Sequence, residues 1–131
     1  MAFAYESHDH YVRDSKGNAV VMAGQSIPMA TLGVWILWLG WFGFNGASQL
    51  ALGSYADANA VASIFANTTM AAAGGVIAPM ALSRIVEGKT NIGATLNGAI
   101  AGLVSITAEP LTPSIGQAII IGGIGGILCM Y

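Results

Sequence analysis

Residues 58–83 read ANAVASIFANTTMAAAGGVIAPMALS, a stretch without a single charged side chain between Asp57 and Arg84. A helix needs about 20 consecutive apolar residues to cross the hydrocarbon core of a bilayer. This stretch is long enough, and its many alanines and glycines would let a second helix approach closely. It therefore predicts a membrane-spanning helix that packs against neighbouring helices.

Three further uncharged stretches, residues 17–56, 90–108 and 110–131, surround this one. Each is long enough to supply one helix that crosses a membrane. We therefore predict a four-helix membrane domain over residues 27–131 behind a polar tail over 1–26. The predicted helices lie near residues 28–46, 59–82, 92–108 and 114–130.

The composition of the 131 residues supports a membrane location and excludes other classes. Hydrophobic residues make up 55% of the chain and charged residues only 8%, against about 25% charged in a typical soluble domain. The net charge of -2 is too small and too dilute for nucleic-acid binding. No carboxylate pair, activated nucleophile or phosphate-binding loop points to an enzyme. We predict an all-α, multi-pass integral membrane protein with lipid as a partner.

The basic residues predict how the helices are oriented. Short loops rich in Lys and Arg stay on the cytoplasmic side of a membrane. The four basic residues precede the first predicted helix or separate the second from the third; they are Arg13, Lys16, Arg84 and Lys89. Both termini are therefore expected on the side equivalent to the cytoplasm.

The polar tail contains the only two histidines of the sequence, His8 and His10, on either side of Asp9. Two imidazoles without further ligands make a poor metal site, since zinc sites use three or four protein ligands. We expect neither a bound metal nor a cofactor.

Two of the predicted helices carry glycines spaced four residues apart. Gly98 and Gly102 form one GxxxG motif, and Gly122 and Gly126 form another. In lipid, helices associate through close van der Waals contact, which small residues permit. These glycines are expected to contact other helices, either of this chain or of other transmembrane proteins.

An aromatic run in the first predicted helix ends in a hydroxyl. Trp41, Phe44 and Ser48 are three, four and seven residues apart, so they share one helix face. Aromatic rings attract a cation through their quadrupole, and a hydroxyl accepts a hydrogen bond from it. The face is thus a candidate site for a small cation; an aromatic belt at the membrane interface is the alternative.

Three ordered blocks give this region a recognisable pattern. They are LGWFGFN at 39–45 followed by Ser48, ANT at 66–68 followed by AAA at 71–73, and LNGAIAGLV at 96–104. Together they resemble the ammonium transporter family (Amt/Mep/Rh), and specifically the sixth to ninth of its eleven membrane helices. The resemblance implies a partial ammonium-transporter fold, in a family of trimers whose protomers each contain a narrow pore.

The resemblance also implies roles for single residues. Phe44 is similar to one ring of the aromatic gate at the outer pore mouth. Ser48 is similar to the hydroxyl of the outer site that recruits ammonium. Trp41 resembles an aromatic residue beside the pore, and Thr107 resembles a hydroxyl that lines it nearby.

Part of the family's pattern is missing from this sequence. The pore of the family centres on two histidines, whereas the predicted helices contain none. Sites in inverted-repeat transporters form where the two halves meet, so four helices of one half are not expected to enclose a pore. The chain is expected to be truncated and non-conducting on its own. It would act as a structural transmembrane subunit of a larger complex, for example an energy-converting or photosynthetic one.

The alternative is that the chain is a piece of a working ammonium channel, completed by helices that this sequence does not contain. Ammonium would then be a partner only of the completed pore.

Overall fold

The computed structural model describes residues 26–130. This part of the chain forms four helices and contains no strand: α1 (Ile27–Ala47), α2 (Tyr55–Val86), α3 (Ile92–Ile106) and α4 (Ile115–Met130). The prediction of an all-α protein with four helices is thereby confirmed. The predictions for the polar tail, its two histidines and the basic residues before α1 fall outside the described residues.

Helix α2 is longer than predicted and begins four residues earlier. The Asp57 carboxylate accepts a hydrogen bond from the backbone N–H of Ser54 at 3.1 Å, and the Asp57 N–H donates to Ser54 Oγ at 3.1 Å. This reciprocal capping box starts the helix at Tyr55. A carboxylate in the first turn also interacts favourably with the helix dipole. Asp57 therefore limits the apolar stretch, but the helix begins two residues before it, at Tyr55.

At its other end, α2 continues through Val86, four residues beyond the predicted boundary, and its cap residue is Glu87. Ser83 is completely buried there. Its hydroxyl donates to the Met80 carbonyl at 3.0 Å and accepts from the Asn91 N–H at 3.2 Å. This side chain joins the end of α2 to the residue that caps α3.

Helix α2 is the centre of the bundle, because it packs along both α3 and α4, which also contact each other. Ala71 of α2 lies beside Gly102 of α3, and Pro79 of α2 lies beside Gly98. The pairing runs in opposite directions along the two helices, so α2 and α3 are antiparallel.

Helix α4 runs parallel to α2. Gly122 lies against Ala71, and four residues later Gly126 lies against Gly75. The short connections and the up-and-down order of α2, α3 and α4 agree with the rules for helix bundles.

Helix α1 is the peripheral member of the fold. It contacts α2 and α3 but not α4. Large apolar side chains remain on its surface, among them Trp35 at 69% and Leu39 at 71% exposure. Such an exposed apolar surface needs lipid or another protein to cover it.

Two of the four predicted spans meet the length criterion for crossing a membrane. Helices α1 and α2 have 21 and 32 residues, each with a mean hydropathy of 1.5 over the best window. Helices α3 and α4 have only 15 and 16 residues. At a rise of about 1.5 Å per residue, each of the two is roughly 23 Å long, somewhat less than the hydrocarbon core.

Candidate functional site

Trp41 and Thr107, which lie 66 residues apart, form a direct side-chain contact. The indole Nε1–H of Trp41 donates a hydrogen bond to Thr107 Oγ1 at 2.8 Å. Thr107 is the C-cap residue of α3, and its own hydroxyl donates to the Leu103 carbonyl at 2.9 Å. The hydroxyl is therefore used twice, and it connects α1 to the end of α3.

Phe44 lies next to Trp41, with the two ring centroids 5.9 Å apart and the planes tilted by 43°. Phe44 is 61% exposed. One turn further on, the exposed Ser48 hydroxyl donates to the Phe44 carbonyl at 2.9 Å. The Ser48 oxygen keeps lone pairs with which it can accept a hydrogen bond from a ligand.

The structure thus groups the four residues proposed for the site at the C-terminal half of α1 and the end of α3. Two aromatic rings and two hydroxyls are chemically suited to a small cation such as an ammonium ion. The rings of Trp41 and Phe44 are only partly covered, so the surface is open on one side.

An open groove of about 520 Å³ lies between the C-terminal half of α1 and α2, on a different face of α1 from Trp41, Phe44 and Ser48. Its wall is apolar and includes Phe42, Leu50, Val61 and Phe65. The rings of Phe42 and Phe65 contact each other at a centroid distance of 5.1 Å.

From the sequence alone, no role was assigned to Asn45, which follows Phe44. Asn45 and Thr68 are both completely buried, and Asn45 Nδ2 donates to Thr68 Oγ1 at 3.0 Å. Asn45 Oδ1 has no hydrogen-bond partner among residues 26–130. The signal in the sequence was an amide within an otherwise apolar helix, because a buried polar group normally needs a partner.

A second buried amide connects α2 to the loop between α3 and α4. Asn67 Nδ2 donates to the carbonyls of Pro110 and Pro113, at 3.0 and 2.8 Å. In the same loop, the Glu109 carboxylate accepts hydrogen bonds from the backbone N–H groups of Leu111 and Thr112, each at 3.3 Å. The loop that follows Thr107 is therefore held by hydrogen bonds from α2 and by hydrogen bonds within the loop.

The four glycines proposed for helix packing all lie against α2. A Cβ atom on Gly98 would collide with the Gly75 carbonyl, and one on Gly102 or Gly122 would collide with the Ala71 carbonyl. A Cβ atom on Gly126 would lie 2.6 Å from the Gly75 carbonyl oxygen. Only glycine permits the observed helix separation at these positions.

No group of three or more His, Cys, Asp or Glu side chains occurs among the described residues. The structure there offers aromatic rings, hydroxyls and amides as functional groups. The apolar composition and the glycine-mediated packing of these helices are typical of helical membrane proteins.

The model of the Ammonium Transporter Family matches residues 4–131 of the sequence. The chain therefore belongs to the ammonium transporter family, as the sequence pattern predicted. Members of this family are membrane transport proteins rather than enzymes, which agrees with the prediction that the chain is not an enzyme.

Several relatives show the extent of the similarity. Ammonium transporter Amt2 of Archaeoglobus fulgidus is 41% identical over 118 residues, which cover 90% of this chain and 24% of that protein. Putative ammonium transporter sll1017 of Synechocystis sp. is 46% identical over 116 residues, which cover 86% of this chain and 26% of that protein.

A solved structure described as a Sensor Amt Protein matches the fold with a TM-score of 0.79 at 33% sequence identity. The match covers 90% of this chain and 28% of that chain. The chain thus spans about a quarter of the length of the relatives that it matches.

Proposed function

We propose that the four helices are embedded in a membrane and that they form one wall of an ammonium pathway. The observation that carries the proposal is the cluster of Trp41, Phe44, Ser48 and Thr107 on one partly exposed surface. The names of the relatives, which are ammonium transporters, support ammonium as the cation. Helix α1, with its exposed apolar side chains, would be covered by lipid and by further helices.

The chain by itself does not conduct ammonium in this proposal. An ammonium ion that leaves water without compensating partners carries a large energetic cost. The described helices would contact such an ion from one side only, since Phe44 is 61% exposed. The remaining partners must come from helices that face this surface. Ammonium is therefore a ligand of the completed assembly.

Flux measurements test both parts of the proposal. The full chain, reconstituted alone in liposomes, is expected to give the same ammonium-driven change in internal pH as protein-free liposomes. The assembly isolated with its neighbouring helices in native membrane discs and then reconstituted is expected to conduct. Phe44→Ala and Ser48→Ala should lower that flux, whereas Ser63→Ala should not, because Ser63 is exposed on the first part of α2.

If the isolated chain gave ammonium flux and Phe44→Ala abolished it, the chain would form a complete conduit by itself. If an assembly with both Phe44→Ala and Ser48→Ala kept normal flux, the chain would not form part of the ammonium pathway.

The second candidate function is that of a structural transmembrane subunit without transport. The packing of α2, α3 and α4 favours it, because glycine and alanine contacts close this three-helix core without leaving a lumen between them. The apolar outer surface of α1 would then be the contact surface for other membrane proteins. This candidate predicts fixed stoichiometry with its partners and no change in ammonium flux when Phe44 is replaced by Ala.

A further inference from the structure

Apolar contacts hold most of the length of α1 only loosely. Of its 21 residues, only Val34 and Asn45 are buried. A Cβ atom added at Gly33, Gly40 or Gly43 would meet no atom within 4 Å, so these positions do not interlock with a neighbour. The close apolar contact is with Phe65 of α2: its ring packs on Phe42, and it would lie 2.5 Å from a Cβ atom on Gly46. Apolar contact is in any case non-directional and does little to define the rotation of a helix about its axis.

Two side-chain hydrogen bonds add a directional constraint to these apolar contacts. Among residues 26–130, the bonds from Trp41 to Thr107 and from Asn45 to Thr68 are the side-chain hydrogen bonds that join α1 to other helices. Trp41 and Asn45 are four residues apart and share one helix face. One bond reaches α3 and the other reaches α2.

Phe44 lies between the two α1 residues that form these bonds, directly before Asn45. Phe44 immediately precedes Asn45, so it points about 100° away from it around the helix. With Asn45 turned into the bundle, the Phe44 ring lies on the partly open surface beside Trp41. If α1 rotated so that Phe44 took the direction of Asn45, Phe44 would enter the interface with α2. Asn45 would then move to the direction of Gly46, which faces Phe65, and would lose Thr68.

The Asn45–Thr68 bond is better suited to specifying orientation than to adding stability. Both side chains are completely buried, and Asn45 Oδ1 has no partner in the described part of the chain. An unpartnered buried acceptor offsets much of what one hydrogen bond contributes. Buried polar groups of this kind can select one packing arrangement over others of similar energy.

We propose that Asn45 and Thr68 are positioning residues: their buried hydrogen bond fixes the rotation of α1 and so presents Phe44 and Ser48 to ammonium. The part of this inference that concerns ammonium rests on the proposed function. The part that concerns helix rotation rests on the geometry alone.

The experiment compares two substitutions at one position. Thr68→Val keeps the side-chain volume but removes the hydroxyl, whereas Thr68→Ser keeps the hydroxyl but removes a methyl group. If Thr68 only filled space, Thr68→Ser would disturb the position of α1 more. If the Thr68 hydroxyl positions α1, Thr68→Val would disturb it more. Thr69→Val is the matched control, because the Thr69 hydroxyl donates only to Phe65 of its own helix, at 2.9 Å.

The first measurement is the indole N–H resonance of Trp41 in the full chain in micelles, identified with a Trp41→Phe variant. Its bond to Thr107 gives it a distinct chemical shift and slows its exchange with solvent. In Thr68→Val we expect the shift to change and exchange to accelerate about tenfold, because α1 samples other rotations. Thr68→Ser and Thr69→Val should retain the wild-type resonance.

The second measurement is the affinity of the complete assembly for methylammonium. Thr68→Val should weaken binding several-fold, while Thr68→Ser and Thr69→Val leave it unchanged. If the wild-type assembly binds no methylammonium, the proposed function fails, and the Trp41 resonance still decides whether Asn45 and Thr68 orient the helix. Should Thr68→Val not fold, the double variant N45L/T68V replaces it, since it leaves no unpaired polar group.

An unchanged Trp41 resonance in a folded Thr68→Val or N45L/T68V protein would overturn the inference. The same conclusion would follow if Thr68→Ser disturbed the resonance more than Thr68→Val does.

Discussion

Replacing Gly122 by alanine tests the position at which, among the glycines of residues 26–130, an added Cβ atom would come nearest to another helix. A Cβ atom at this position would collide with the Ala71 carbonyl oxygen, and it would lie 2.5 Å from the Ala71 carbonyl carbon and 2.7 Å from its Cα. Carbon atoms pack favourably at about 3.5–4.0 Å. Helices α2 and α4 would therefore have to separate by about 1 Å. Both contact partners are backbone atoms, so no side-chain rotation can relieve the overlap.

The magnitude follows from two opposing effects. Overpacking of a close-packed interior costs about 1–3 kcal/mol, and a contact between two backbones belongs at the upper end of that range. Alanine regains about 1 kcal/mol through its greater helix propensity. The net effect is the difference between the two, so we expect Gly122→Ala to lower the free energy of unfolding by about 2 kcal/mol.

Gly123→Ala is the matched control on the same helix. A Cβ atom there would lie 3.5 Å from the Ala78 Cβ, an ordinary van der Waals contact. This variant should gain about 0.5–1 kcal/mol from helix propensity alone. Titration of detergent-solubilised protein with SDS, followed by far-ultraviolet circular dichroism, measures both free energies. The reasoning about close packing is refuted if the two variants unfold within about 0.5 kcal/mol of each other, against an expected difference of roughly 3 kcal/mol.

Three further predictions concern a loop, a helix start and transport. Asn67→Leu removes the bonds to the Pro110 and Pro113 carbonyls; it should destabilise the fold by about 2 kcal/mol and speed amide exchange in the 107–114 loop, and unchanged exchange there would contradict this. Ser54→Ala removes the cap of α2 and should cost about 1 kcal/mol in the same unfolding titration, with loss of helix signal confined to the first turns. The isolated chain in liposomes should pass no ammonium above background, so Phe44→Ala should leave that background as it is; a difference between the two would argue for a pore within this chain.

The number of helices could be predicted from the sequence because charge is so sparse in it. The uncharged stretches, such as 58–83, are long enough that few structures other than helices suit them. The ends of α2 could not be predicted in the same way. Asp57 looked like a boundary, but it caps the helix, since its carboxylate bonds to the backbone of Ser54. A charged residue at the end of an apolar stretch can lie outside the helix or in its first turn, and the sequence alone does not distinguish the two cases.

The candidate site was partly predictable. The spacing of Trp41, Phe44 and Ser48 placed them on one helix face, because helix periodicity is a local property. The resemblance added Thr107, but only the fold shows that Trp41 donates to it. Asn45 was overlooked because nothing in the local sequence shows which of two adjacent residues, Phe44 or Asn45, turns toward α2.

The sequence by itself determined the helical class, the approximate position of each helix and the membership in the ammonium transporter family, since these depend on local periodicity and on ordered motifs. The tertiary structure decided which helices meet, with α2 at the centre and α1 at the edge. It also decided which polar groups find partners, such as Asn45 with Thr68 and Asn67 with the 107–114 loop. Each of these buried hydrogen bonds joins residues that are distant in the chain. It therefore depends on how the helices pack in three dimensions, and the sequence alone indicates it only weakly.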